Sequence, residues 1–121
     1  MATGSIKSTK WKSIPISYST TTGDIATGTI TAAVTDNLLF LSATDMNRAA
    51  QTSAGSNMYA ATITGLPDFY SGMMCTYAGS SAIIAALWND GGGNARLEAK
   101  VTGAALAANT KATVRGFFRL S

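Results

Sequence analysis

A chain of 121 residues with 46% hydrophobic residues can fill one core without a metal or a cross-link, and one domain is the expectation. The absence of histidine, the single cysteine and the single glutamate among scattered aspartates exclude an intrachain disulfide framework and leave no convincing acid–base dyad or nucleophilic triad. The net charge of +3 is unevenly spread: Lys7, Lys10 and Lys12 precede any acid, Asp24 to Asp90 leans acidic, and Arg96 to Arg119 leans basic.

In chain order, Met1 opens a stretch of Ala, Thr, Gly, Ser and Lys with no apolar h-region, so no Sec-type signal peptide is expected. Residues 1–12 read as a flexible arm, because serine, threonine and lysine offer little apolar surface to offset the entropy of ordering. Within it Lys7, Lys10, Trp11 and Lys12 form a candidate attachment element for an acidic surface, set against the simpler reading of a solvated tail; nucleic acid is not expected as the partner. Residues 13–121 read as a single β domain. Trp11 to Tyr18 reads as the first strand, interrupted or at an edge because Pro15 cannot donate to a ladder. Ile25 to Val34 and Leu38 to Ala43 follow as strands, after which Asp45 to Ala54 reads as a short helix or a loop. Met58 to Thr64, Gly72 to Tyr77 and Ala82 to Trp88 are the next strands. The last of these joins Asn94 to Val101 across a hairpin whose glycines, Gly91 to Gly93, accept positive φ.

Asn94 to Val101 alternates cleanly, with Ala95, Leu97, Ala99 and Val101 on one face and Arg96, Glu98 and Lys100 on the other. Lys111 to Leu120 repeats the pattern, with Val114 and Phe118 inward and Arg115, Phe117 and Arg119 outward. About eight strands result, and their even spacing between Gly- and Asn-rich turns predicts an all-β, antiparallel β-sandwich or jelly-roll-like fold. No apolar run approaches the ~20 residues of a membrane helix, so membrane insertion is not expected. Ala, Ser, Thr and Gly make up about half the chain, a charge-poor surface that suits sheets covered by neighbouring subunits and predicts a homo-oligomer, a trimer first.

The chemistry-bearing motifs are few. Gly91-Gly92-Gly93 follows a strand but precedes no helix and no Gly-Lys-Ser/Thr, so it is a turn rather than a phosphate loop. Asp24, Asp36 and Asp90 have no clustered spacing that would give calcium its six to eight oxygens, so neither a metal nor a cofactor is expected. Cys75 reads as a buried, inert thiol, and Met58, Met73 and Met74 as core filling. Trp88, at the end of a strand and beside Asn89, Asp90 and Asn94, is the candidate ligand-facing tip: an indole covers the apolar face of a sugar, and Asn and Asp hydrogen-bond its hydroxyls. The competing reading is that Trp88 plugs the end of the sandwich.

The Gly/Ala/Thr-rich antiparallel series that closes on Ala104 to Ser121 resembles the head domains of bacteriophage tail-fibre and baseplate proteins, and more loosely other small virion proteins. That resemblance implies a non-enzymatic structural protein of the virion, assembled in the host cytoplasm. It would be trimeric, in contact with other virion proteins and binding a host-surface glycan. Fibre proteins usually carry a stalk and no heptad repeat is present here, so a capsid decoration protein docked through Lys7 to Lys12 is the competing implication. A stand-alone carbohydrate-binding module is a third.

Overall fold

Period-two burial organises almost the whole chain. Ala95, Leu97, Ala99 and Val101 are fully buried, while Arg96 and Lys100 between them are exposed. The computed structural model describes residues 10–121, and in it such segments form nine strands: β1 (Lys12–Ile14), β2 (Ser17–Thr20), β3 (Ala26–Val34), β4 (Leu38–Arg48), β5 (Asn57–Thr64), β6 (Gly72–Ala78), β7 (Ser81–Gly91), β8 (Asn94–Gly103) and β9 (Ala112–Arg119). All pairings are antiparallel. A four-stranded sheet, in the order β1-β3-β4-β9, packs on a five-stranded sheet, in the order β2-β5-β8-β7-β6, as a β-sandwich. Within the larger sheet, β6, β7 and β8 run as successive hairpins and β5 returns beside β8, a Greek key.

The inward residues of both sheets make one core. Leu39, Leu41 and Ala43 of β4 face Ile63, Ile83, Leu87, Leu97 and Val101, all fully buried. At one side the two sheets converge. Phe69 packs edge-on to Phe118 with centroids 5.9 Å apart, and Phe69 bridges Leu120. Gly116 makes this approach possible, because a Cβ there would stand 2.5 Å from Met74 Cγ.

Three expectations are sharpened or corrected. The interruption expected at Pro15 is present and is a change of sheet: β1 pairs with β3 and β2 with β5, each at an edge, so the chain changes sheets at Pro15-Ile16, where the missing proline N–H ends the first ladder. The ninth strand arises from this split. Asp45 to Ala54 is not helical; β4 continues to Arg48 through a register shift between Ala43 and Met46. Asp45 takes φ 54° there, a left-handed conformation that aspartate tolerates, and its amide donates to Thr113 Oγ1 at 3.1 Å. Beyond the shift, Arg48 pairs with Asp24 at 2.5 Å and donates to the Asn57 carbonyl at 3.3 Å, which fastens the sheet corner.

The third correction concerns β6. Cys75 is exposed rather than buried, and Met73 is 74% exposed rather than core, because alternation along β6 turns Met74 and Ala78 inward and Met73, Cys75 and Tyr77 outward. Met58 and Met74 do fill the core. Lys7 lies outside the described residues; Lys10 and Trp11 are exposed, and Lys12 already pairs with Val34 in the first ladder.

Candidate binding surface

The hairpin tip is built inward on itself. β7 extends past Trp88 to Gly91, and the turn is made by Gly91, Gly92 and Gly93, with φ of 84°, 64° and 83°. Asn89 donates from Nδ2 to the Phe69 carbonyl at 3.0 Å, its Oδ1 accepts the Gly91 amide at 2.9 Å, and its own amide donates to Ser71 Oγ at 2.9 Å. Asp90 pairs with Arg96 Nε at 2.9 Å, and Arg96 also reaches Glu98 at 3.4 Å. The Arg96 guanidinium lies 4.7 Å from the centroid of the half-buried Trp88 ring. Trp88, Asn89 and Asp90 therefore do come together, but Trp88 stands on the outer face of the five-stranded sheet rather than in its core. Its ring and its neighbours' polar groups are engaged within the chain. Asn94 is exposed at the start of β8, opposite Gly91.

A second surface lies on the outer face of the four-stranded sheet. The register sets Ala33 opposite Phe40 and Phe40 opposite Phe117, so the three form a row across β3, β4 and β9. Trp11, just before β1, closes the row: its ring centroid is 6.0 Å from that of Phe40 and 5.7 Å from that of Phe117, with Phe40 and Phe117 5.0 Å apart. Trp11, Ala33, Phe40 and Phe117 line an open, apolar cleft of about 320 Å³. Phe117 is 62% exposed and Trp11 44%.

Cations border this cleft. Arg115 and Arg119 stand two residues either side of Phe117, on the same face of β9, and Lys10 directly precedes Trp11; Lys12, opposite Val34, alternates toward the other face of β1 and lies at the sheet edge. All four are exposed, and among the described residues none of them makes an ion pair, whereas Arg48 and Arg96 each do. The surface thus combines uncovered aromatic area with uncommitted positive charge. The period-two pattern puts Phe117 outward, and charge singles out Lys10, Trp11 and Lys12. Phe40 sits in the continuous apolar run Leu38 to Leu41, where both faces read alike and its outward direction has no sequence signal.

A third feature is β6 itself. Met73, Cys75 and Tyr77 stand in register with Ala86, Ile84 and Ala82 of β7, so the outer surface along this sheet edge is apolar and carries no charge. Tyr77 is 79% exposed. Among the described residues no three of Asp, Glu and Cys gather as metal ligands would; Asp24 and Asp90 are instead held by arginines. No helix among the described residues is long and apolar enough to cross a membrane.

No protein-family model matches the chain, and neither the curated proteins nor the solved structures contain a significant match to it.

Proposed function

We propose that this chain is a non-enzymatic structural protein of a phage-type virion, a tail-fibre, baseplate or receptor-binding component that acts by binding in host-surface attachment. In this reading it joins the particle through the outer face of its four-stranded sheet. The Trp11, Phe40 and Phe117 cleft with its border of unpaired cations carries the reading. Covering an exposed aromatic side chain is worth about 1.5–3 kcal/mol, which makes Trp11 and Phe117 natural anchors in a partner's pocket. Lys10, Arg115 and Arg119 add orientation and a faster encounter with an acidic partner. In this reading the surface uses the attachment residues Lys10 and Trp11, leaves Lys12 at the sheet edge on the other face of β1, and adds Phe40, Phe117, Arg115 and Arg119.

The capsid-decoration reading is favoured by the same cationic, aromatic face, since a decoration protein needs one docking surface and no glycan site. A host glycan at the Trp88 tip is less well supported, because Asn89 and Asp90 already spend their hydrogen bonds within the chain. Co-sedimentation tests the proposal, using the purified protein and particles, lacking it, of the virus that encodes it. Wild type should pellet with the particles, and Phe117→Asp should remain in the supernatant while staying folded. A gene lying outside any viral or prophage context, or a Phe117→Asp protein that still pellets, would sink the reading.

A further inference from the structure

We infer that β6 is a self-association strand: two copies of this chain pair edge to edge through it, antiparallel about a two-fold axis that passes beside Cys75. The inference does not depend on the virion reading. An edge strand presents a row of unpaired backbone donors and acceptors, and only another extended strand meets them along its length. β6 pairs with β7 on one side and is the last strand of its sheet.

Charge selects a second copy as that strand. Across a two-fold axis every residue of an edge faces the same edge, so any charge there meets its own kind. β9 carries Arg115 and Arg119, and β1 carries Lys12, so either would repel its copy. β2 is uncharged but only four residues long. β6 has seven residues, none charged, and natural edges of that length are normally blunted by lysine, proline or a bulge.

The register follows from the strand. For a continuous sheet, outward residues must face outward residues, which rules out any axis that sets odd positions against even ones. Centring on Cys75 sets Gly72 against the partner's Ala78 and pairs all seven residues, and moving the axis by one residue loses two of those pairs. In the centred register Met73 meets the partner's Tyr77, a favourable thioether–aromatic contact, and Cys75 meets its own copy. Counting back from the Ala78–Ser81 pair that closes the two-residue turn, Cys75 turns its own N–H and C=O away from β7, so it meets its copy as a hydrogen-bonded pair with Cα atoms ~5.5 Å apart, within disulfide range. Seven residues a side is well below the ~20–30 of a standard interface, so the dimer is weak, with dissociation in the range of tens to hundreds of micromolar.

Sedimentation equilibrium from ~10 to ~500 µM should show a monomer–dimer equilibrium, which Tyr77→Lys weakens about tenfold or more. Cys75→Ser should dimerise like wild type. Diamide reads the register: it takes up the two electrons and two protons released as two thiols join, and becomes the hydrazine. Wild type should give a disulfide-linked dimer. In a Cys75→Ser background, Met73→Cys alone should not cross-link, and Met73→Cys with Tyr77→Cys should. A monomer at every concentration, a trimer, or cross-linking by Met73→Cys alone as fast as wild type would overturn the inference. Should Tyr77→Lys unfold by circular dichroism, the cysteine series decides on its own.

Discussion

The two tryptophans of the described chain are both partly exposed, both on outer sheet faces and both close to cations, yet they differ in what is left over. Trp88 is covered by Arg96, which is itself held by Asp90 and Glu98, and Asn89 beside it is committed to Phe69 and Gly91. Trp11 packs on Phe40 and Phe117, and Lys10, Arg115 and Arg119 near it are unpaired among the described residues. One site has closed its interactions within the chain and the other has not. An aromatic at a loop becomes a binding residue only when its neighbours' charges and hydrogen bonds are still unspent.

The largest expected effect separates the two sites by binding. Trp11→Ala and Phe117→Ala should each weaken association with the particle by about 2 kcal/mol or more, roughly thirtyfold, as truncation of a central aromatic anchor does. Their thermal midpoints should move little, since neither side chain belongs to the core: Phe117 is largely exposed and Trp11 about half so. Equilibrium binding beside a thermal melt reads both quantities. Loss of binding in Trp88→Ala with none in Trp11→Ala would reverse the comparison.

Next comes the converse. Trp88→Ala removes a half-buried ring and its stacking on Arg96, and should cost about 1–2 kcal/mol of stability while leaving binding per folded molecule unchanged. Urea denaturation measures it. A cost of ~3–5 kcal/mol would place the ring in the core after all.

The all-β class and most strands were legible because period-two alternation is imposed by burial on one face, as in β8 and β9. What misled was topology. Nothing in Trp11 to Tyr18 marks that its two halves belong to different sheets, and Asp45 to Arg48 continues a strand only because β3 and β9 supply partners on either side. Cys75 and Met73 read as core because apolar residues usually are; alternation along β6 turns them to the outer face of the sheet, and an uncharged strand gives no sign of which of its faces is covered. Of the face proposed for attachment, Trp11 and its lysines were visible as a cationic, aromatic cluster and Phe117 as an outward position. Phe40 joined them only through the β3–β4–β9 register.

The smallest expected effect extends the comparison to an aromatic that is closed in space but not in hydrogen bonding. Tyr59 is fully buried, its ring fits against Gly28, where a Cβ would lie 3.1 Å away, and its hydroxyl finds no partner among the described residues. Burial pushes the Tyr59 phenol above its usual value of 10.0, and the nearby Tyr18 adds to the shift. Below pH ~10 the hydroxyl is protonated in both folded and unfolded chains, so it gives no pH slope there. Above it the unfolded chain ionises first and binds fewer protons than the native state, so stability falls as pH rises, by at most ~1.4 kcal/mol per pH unit from this group. Tyr59→Phe removes that contribution and an unpaired polar atom together. It should leave stability at pH 7 unchanged or raise it by up to ~1 kcal/mol, and make the decline above pH 10 shallower than in wild type. Urea midpoints of the two proteins at pH 7, 9 and 10.5 test this. A Tyr59→Phe protein less stable than wild type at pH 7 would mean that the hydroxyl has a partner, and parallel declines above pH 10 would mean that Tyr59 ionises as readily folded as unfolded.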